Sequence, residues 1–537
     1  MSLFKSIATF GGFTFLSRIT GFVRDMALAN FLGAGMASDA FFVSFKLPNL
    51  FRSLFAEGAF TSAFVPLFSQ KLVADGKKKS LFFASQAISV LFFFLFVFVL
   101  CFEIFMPYVV RVLAPGFVGD AGKIELASTL CRITFPFLLF ISIVSFQAGI
   151  LNSFEKFAAP AMAPIILNLT MITSAFVVVP FIKTPAYGFA FAITFAGILE
   201  ILWLRHALNK IDVHIKPYCH LKKIMHRDDI KTLFKRIAPG VVGAGIYQIN
   251  MVVDTILVSL VGTGAISWLY YANRLQQLPL GVVGAAISVA LLPILSKQLK
   301  AQNVTESRQT QDKAVEYAAL LSVPAAVLMI VLARPMINIL FEHGRFTSQD
   351  TIKTAYALMA YAVGLPCYVF VKALMPNFFA RGDTVTPVKF SAVVFGVNFA
   401  FNLILMIPFG HIGIAISTTI AAFVSLFQYI YGLKRRDYWT CSKQLAWKVC
   451  KIFLISVLMS VCLLALECGI NHLTGNWLAL GFVLKLIIFV FLGGMGIVCF
   501  LLFAVAFHVL DLREMLHMFF KKERKVSERK QDFEANK

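Results

Sequence analysis

Long apolar runs, each of the length that crosses a lipid bilayer, recur along almost the whole chain. A membrane-spanning helix needs about 20 mostly apolar residues. The pattern therefore predicts an all-α polytopic membrane protein with little chain outside its spans, apart from a C-terminal tail rich in Lys and Glu. The predicted spans are fourteen, at 7–32, 37–69, 80–110, 124–151, 159–182, 186–208, 229–260, 265–296, 313–334, 351–379, 387–408, 412–433, 446–470 and 478–510.

Basic residues are distributed unevenly between the loops that join these spans. The loops after spans 2, 6, 8, 12 and 14 are rich in Lys and Arg, whereas the odd-numbered loops are short and nearly free of them. Arg111, Lys123, Arg334 and Arg345 are exceptions. Because cytoplasmic loops carry the excess of Lys and Arg, the pattern predicts that both termini are cytoplasmic.

A weak internal repeat relates segment 45–72 to segment 273–299, and it pairs Lys46 with Arg274 and Pro66 with Pro293. The two copies are six spans apart, so they keep the same orientation in the membrane. This predicts two six-helix lobes related by a pseudo-two-fold axis, plus helices 13 and 14, as in many transporters; chance alignment of Phe- and Leu-rich helices is the alternative. The predicted domains are an N-lobe (1–210), a cytoplasmic linker (211–228), a C-lobe (229–436), the pair of spans 13 and 14 (437–510) and a basic cytoplasmic tail (511–537).

Composition supports the membrane assignment and excludes other classes. Of the 537 residues, 59% are hydrophobic and 14% are charged, which is too apolar for a soluble domain. The net charge of +22 would suit nucleic acid, but the basic residues lie in loops and the tail, where they meet anionic lipid headgroups. The scattered cysteines and histidines form no metal-binding motif, so neither nucleic-acid binding nor a metal enzyme is expected.

Charged residues occur inside the apolar spans, where each costs about 2.5–3.5 kcal/mol to insert at the membrane centre. On a helix, Arg18 and Asp25 fall within about 20° of each other, while Arg24 points elsewhere. Reaching the membrane interface would explain Arg24, Asp25 and Asp39, but it explains Arg18 and Arg52 poorly. The charged positions are Arg18, Arg24, Asp25, Asp39, Lys46, Arg52 and Glu57 in spans 1 and 2, with Arg274 in span 8.

The excess of guanidinium groups indicates the chemistry of the ligand. Several arginines around one lumen suit an anion, and the guanidinium fork matches phosphate oxygens in pairs. A cationic drug would require the opposite sign. A carrier built of lipid-accessible helices then suggests a phosphate that is attached to a lipid.

Five stretches closely resemble the MurJ (MviN) family of lipid II flippases, in the multidrug/oligosaccharidyl-lipid/polysaccharide exporter superfamily. They are SRITGFVRD, ASDAFFVSFKLPNLFRSLFAEGAFTSAFVP, YYANRLQQLPLG, FEHGRFT and FFARGDTVTPVK. The resemblance implies fourteen helices around a central cationic cavity, with a groove at helices 13 and 14 for the undecaprenyl tail. It implies that the substrate is bound by Arg18, Arg24, Arg52, Arg274 and Lys372, and that Asp25, Asp39 and Glu57 form ion pairs or the outer gate.

Some members of that family bind sodium, and the positions that match here are Asp254, Asn398, Asn402 and Thr418. Asn398 and Asn402 are spaced i, i+4, so both can face one oxygen-lined pocket. In the sodium-binding pattern the second residue of span 11 is an acid, and Asn402 departs from it. Sodium, a proton or the membrane potential therefore all remain open as the coupling agent, and no other cofactor is expected.

The favoured function is translocation of lipid II, an undecaprenyl-diphosphate-linked peptidoglycan precursor, from the inner to the outer leaflet of a bacterial cytoplasmic membrane by alternating access. We expect a monomer that contacts membrane lipids and the cell-wall synthesis machinery, not an enzyme. One alternative is a cation-coupled multidrug exporter, which the arginines disfavour. Another is an enzyme acting on polyprenyl phosphate, but the adjacent acids Asp228 and Asp229 lie in a basic loop.

Overall fold

The computed structural model describes residues 3–54, 60–216, 218 and 227–510, and these residues form helices and connecting loops without a strand. A π-helical turn at Leu280–Gly284 joins two of the helices. The α-helices are α1 (Leu3–Leu32), α2 (Met36–Phe51), α3 (Thr61–Ala74), α4 (Gly76–Leu113), α5 (Ala121–Thr134), α6 (Phe137–Ser153), α7 (Ala158–Val177), α8 (Pro185–Asn209), α9 (Asp228–Val261), α10 (Ala265–Pro279), α11 (Ala285–Lys300), α12 (Val304–Val331), α13 (Ala333–Phe341), α14 (Ser348–Phe379), α15 (Val385–Arg435), α16 (Lys443–Thr474) and α17 (Phe482–Ala506).

The all-helical prediction is confirmed, although helix ends differ from the predicted spans. Predicted span 4 is divided into α5 and α6 at Pro136, because proline lacks the N–H that would continue the helical hydrogen bonds. Spans 11 and 12 both lie within α15, which is kinked at Gly410, where a φ of 55° departs from helical backbone. Only a residue without a Cβ adopts that conformation readily.

Ten helical segments of the described chain are long and apolar enough to cross a membrane. This count treats α15 as one segment and does not include α1, which carries Arg18, Arg24 and Asp25. The multi-pass character is therefore confirmed, while the number fourteen stays a prediction.

Large apolar side chains of α4 are exposed along much of its length. Phe93, Phe96, Leu100 and Phe105 are 53%, 49%, 50% and 57% exposed. An apolar surface of this size is unfavourable in water, whereas it is compatible with the apolar tails of lipids. This face of α4 is therefore a membrane-facing surface.

The described chain divides into two compact units. Unit 1 comprises Met1–Tyr271, Leu340–Lys353 and Asn402–His411, and unit 2 comprises Ala272–Ile339, Thr354–Phe401 and Ile412–Lys537. Unit 1 thus contains α9, which the sequence analysis assigns to the second lobe. The predicted lobe boundaries remain a prediction.

Each unit has its own apolar core. In unit 1, aromatic rings of α3 and α6 pack against each other, with the Phe64 and Phe146 centroids 4.7 Å apart. In unit 2, Ile452, Met459 and Leu463 of α16 are fully buried against α12 and α17. Burial of this kind contributes about 25 cal/mol per Å² wherever water is the alternative. Inside a membrane the same contacts contribute mainly through close packing.

The predicted repeat is also visible in the backbone. The described part of span 2 enters a π-helical turn at Arg52–Leu54, and span 8 does so at Leu280–Gly284. A shift of 228 residues places position 52 on position 280. Because π-helical turns are rare and concentrate at functional sites, their shared position supports a true repeat over a chance alignment.

Loop 115–120 of unit 1 packs against the end of α9 through Gly116. The Gly116 amide donates to Ser259 Oγ at 3.1 Å. A Cβ at position 116 would overlap the Ser259 backbone oxygen, whereas a Cβ at Gly119 would meet nothing within 4 Å. Close backbone approach therefore requires glycine at position 116 but not at position 119.

We predict that Gly116→Ala destabilises the protein, because the loop must move away from α9. Overpacking of this kind costs about 1–3 kcal/mol. The melting temperature of the purified protein in detergent should fall for Gly116→Ala and stay at the wild-type value for the matched control Gly119→Ala. Equal melting temperatures for the two variants would contradict the close packing of this loop.

Candidate functional site

Arg24 and Asp25 form a buried ion pair in unit 1. The guanidinium donates through Nε and Nη2 to Asp25 Oδ1, at 3.0 and 2.6 Å. Its Nη1 donates to Asn168 Oδ1 on α7 at 3.0 Å, and its Nη2 lies 3.3 Å from the Tyr270 hydroxyl on α10. Buried charges persist when they are paired in this way. Arg24 therefore links α1, α7 and α10.

The helical periodicity predicted that Arg24 points away from the stripe shared by Arg18 and Asp25. In the structure the Arg24 guanidinium turns back onto Asp25, because its long side chain spans the angle between neighbouring residues. Arg18, by contrast, is exposed on α1 and makes no hydrogen bond or ion pair within the described chain. The two arginines of SRITGFVRD thus have different surroundings.

Asp39 is the centre of a second buried cluster. It is fully buried in the first turn of α2 and pairs with Lys123 of α5, whose Nζ lies 3.0 Å from Oδ2. The backbone amides of Gly264 and Ser267 donate to its two oxygens at 2.7 and 3.1 Å, and the Ser267 hydroxyl donates to Oδ1 at 2.7 Å. A carboxylate at the N-terminus of α10 also meets the positive end of the helix dipole.

Four of the odd-numbered loops meet around these clusters at one end of unit 1, which we call the joined end. The Arg345 amide donates to the Asn30 carbonyl at 2.9 Å, where the α13–α14 loop meets the end of α1. Asp350 accepts from the Trp268 indole at 2.8 Å. The loops after spans 1, 3, 7 and 9 therefore lie on the same side of unit 1. This agrees with the prediction that all odd-numbered loops share one side of the membrane.

Arg52 lies half-buried at the π-helical turn that follows α2. Its charge interacts with Glu200 of α8, which is only 1% exposed. Glu200 is not among the predicted site residues, although an acid in the middle of span 6 carries the same signal as the arginines. Glu57 lies outside the described residues.

Unit 2 holds the remaining substrate candidates, Arg274 and Lys372. Arg274 is half-buried on α10, and Lys372 is exposed on α14. The aliphatic stem of Lys372 packs on Gly284, where a Cβ would lie 3.3 Å from Lys372 Cγ. The π-helical turn of unit 2 therefore positions Lys372, much as the turn of unit 1 carries Arg52.

The candidate sodium ligands are divided between the units. In unit 1, the Asn402 side-chain amide donates to Asp254 Oδ1 at 3.1 Å. In unit 2, the Thr418 hydroxyl donates to the Ile414 carbonyl at 2.9 Å. Asn398, also in unit 2, is 5% exposed.

The surroundings of Asp254 do not suit a sodium ion. Lys46 interacts electrostatically with Asp254, and its Nζ lies 3.2 Å from the hydroxyl of the adjacent Thr255. A hard cation requires several oxygen ligands and no competing ammonium group. Asn402 presents its N–H group to the carboxylate, and Lys46 supplies the positive charge.

The chain is similar to proteins of one known family. The family model described as lipid II flippase MurJ matches residues 28–489. The chain belongs to the MurJ family. Its relatives there include the probable lipid II flippase MurJ of Rickettsia prowazekii (strain Madrid E), 38% identical over 81% of this chain and 85% of that protein. The lipid II flippase MurJ of Burkholderia cenocepacia is 33% identical over 81% and 84%.

Solved structures agree with the MurJ assignment. A lipid II flippase MurJ in an inward closed conformation superposes with a TM-score of 0.73 at 27% identity, covering 94% of this chain and 99% of that one. An inward-facing multidrug resistance MATE transporter of the MOP superfamily gives a TM-score of 0.65 at 14% identity, covering 78% and 94%. The MATE likeness concerns the fold alone.

We predict that Asp39→Asn destabilises the joined end, because it leaves the Lys123 ammonium buried without its counter-charge. Breaking a buried pair on one side costs about 3–5 kcal/mol. The melting temperature of purified Asp39→Asn should fall, and the double variant Asp39→Asn/Lys123→Met should recover part of the loss. A double variant no more stable than Asp39→Asn would show that the charge pairing is not the cause.

Proposed function

We propose that the chain is a lipid II flippase, a transporter that moves lipid II across the bacterial cytoplasmic membrane without making or breaking a bond. The observation that carries this proposal is membership of the MurJ family over residues 28–489. The multi-pass helical fold and the intramembrane arginines are what a carrier of a lipid-linked diphosphate requires.

The arginines divide into two roles. Arg18 is exposed on α1, and Arg52 is half-buried beside the charge of Glu200. The guanidinium groups of both residues can therefore form hydrogen bonds with diphosphate oxygens. Arg24 is already held by Asp25, Asn168 and Tyr270. Arg18 and Arg52 therefore bind the headgroup, with Arg274 and Lys372 as the counterparts in the other unit. Arg24 and Asp25 act mainly in the gate.

Alternating access requires the joined end to open. Asp39 accepts hydrogen bonds from the Gly264 and Ser267 amides. When the joined end opens, hydrogen bonds to water or substrate can take the place of each of these contacts. The ion pair of Lys123 with Asp39 stays intact during opening, since both residues belong to the predicted N-lobe. The membrane potential contributes about 2.3 kcal/mol for each charge moved through 100 mV.

The loop charges favour an orientation with both termini in the cytoplasm, so the joined end is the outer gate. Lipid II then enters from the cytoplasmic leaflet and leaves at the outer leaflet. The flippase works as a monomer in the lipid bilayer, alongside the enzymes that make and use lipid II. Of the coupling agents, a proton or the membrane potential fits the surroundings of Asp254 better than sodium.

A cation-coupled multidrug exporter is the alternative function. Its support is the fold shared with MATE transporters. The guanidinium groups oppose a cationic substrate, because like charges repel within a low-dielectric lumen. A change in drug resistance on expression, without rescue of flippase-depleted cells, would favour the exporter.

We predict that the wild-type chain rescues bacteria depleted of their own lipid II flippase, whereas Arg18→Ala and Arg52→Ala do not. Each substitution removes a guanidinium that pairs with the diphosphate. The measurement is growth together with the amount of lipid II accessible at the outer face. The matched control is Arg205→Ala, which removes an exposed arginine near the end of α8. Rescue by all three variants would overturn the phosphate-binding role, and failure of a correctly inserted wild type would overturn the function.

We also predict that replacing sodium with potassium leaves lipid II transport by this chain unchanged, because Lys46 already supplies a positive charge beside Asp254. The measurement is the rate of lipid II translocation in proteoliposomes with equal ionic strength in both salts. Lys46→Met serves as the comparison, since it removes the competing ammonium. If the wild type transports lipid II several-fold more slowly in potassium than in sodium, the prediction is wrong and a sodium site is indicated.

A further inference from the structure

A cavity of about 450 Å³ lies in unit 1 between the end of α4 and one face of α5. It is separate from Arg18, Arg24 and Arg52. Its polar and charged lining consists of Arg111 from α4 and of Glu125, Ser128, Thr129 and Arg132 from α5. Two arginines and one glutamate therefore line a single cavity, and Arg132 also donates through Nε to the Glu103 carbonyl at 3.3 Å.

The α5 residues of this cavity form one face of the helix. Positions 121, 124, 125, 128, 129 and 132 follow the spacing of a helical stripe. The opposite face, with Lys123 and Thr134, is buried and contacts α2 through Asp39 and the Ser44 carbonyl. Whatever fills the cavity thus rests on the helix that positions Lys123.

The cavity contains an unused hydrogen-bonding group. Ser128 is 5% exposed, and its Oγ has no hydrogen-bond partner among the described residues. A buried hydroxyl without a partner is unfavourable. A ligand that offers oxygen acceptors to Ser128, Arg111 and Arg132 would remove that cost.

The surface around the cavity faces lipid. Ile104, Phe105, Tyr108 and Val112 of α4 are 62%, 57%, 63% and 67% exposed. Arg111 lies beside Tyr108, with its guanidinium carbon 5.7 Å from the ring centroid. Arginine and tyrosine next to apolar side chains are typical of the membrane–water boundary. A ligand here would have a polar head in the cavity and acyl chains along α4.

We propose that this cavity binds the phosphate group of a membrane phospholipid. Arg111 and Arg132 pair with the phosphate oxygens, Ser128 donates its hydroxyl proton to one of them, and the acyl chains cover the apolar side of α4. The site also explains an exception to the loop-charge pattern, because Arg111, in the last turn of α4, lies beside an odd-numbered loop. The bound lipid supports α5, and through it the pairing of Lys123 with Asp39.

The test is phospholipid binding to the purified full-length chain, followed by native mass spectrometry and by melting temperature in detergent. Delipidated wild type should bind phosphatidylglycerol and gain thermal stability. Arg111→Gln/Arg132→Gln should bind it at least about ten-fold more weakly and lose the gain. Arg205→Gln/Lys210→Gln is the matched control, since it removes two exposed positive charges elsewhere and should behave as wild type.

Two further ligands separate the phosphate from its alternatives. Diacylglycerol has the acyl chains without the phosphate, so it should not bind at this site. Inorganic phosphate at millimolar concentration should not displace the lipid, because it lacks the chains. The proposal is overturned if Arg111→Gln/Arg132→Gln binds phosphatidylglycerol like the wild type, if diacylglycerol binds equally well, or if inorganic phosphate alone reproduces the stabilisation. Ser128→Ala retains both guanidiniums and should weaken binding by a smaller factor.

Discussion

The structure of unit 1 depends on a single carboxylate, that of Asp39, placed where two helices and a lysine converge. It accepts from the amides that begin α10, pairs with Lys123 of α5 and lies in the first turn of α2. A buried carboxylate is stable only if its desolvation is balanced by such partners. These partners come from distant parts of the chain. Asp39 of α2 therefore connects both α5 and α10 to its own helix.

Much of the fold could be predicted because the membrane imposes two simple rules. Spans must be apolar and about 20 residues long, and basic loops alternate between the two sides. The odd loops of unit 1 do meet at one end, as their parity predicts. The exact ends of the helices could not be predicted, because the break at Pro136 and the kink at Gly410 depend on local backbone conformation.

The candidate site was less accessible to sequence reasoning, because a residue's partner depends on packing between distant spans. Lys123 first appears as an exception to the loop-charge pattern, yet it is the counter-ion of Asp39. Arg334 is another exception, and its charge interacts with Glu467 of the same unit. Glu200 carried the signal of an intramembrane acid, but only the structure connects it with Arg52. Exceptions to a charge pattern were thus the best guides to tertiary contacts.

The partners of the arginines bear on how a carrier can bind tightly and still release its substrate. A guanidinium without a counter-charge would hold a diphosphate strongly and surrender it slowly, whereas one that is fully paired would not bind it. Arg52 lies between these limits, because Glu200 provides a competing negative charge within the same unit. Arg24 is already paired, because its Nη2 lies 2.6 Å from Asp25 Oδ1. The three arginines therefore differ in how far their charge is already compensated, from the exposed Arg18 through Arg52 beside Glu200 to the paired Arg24.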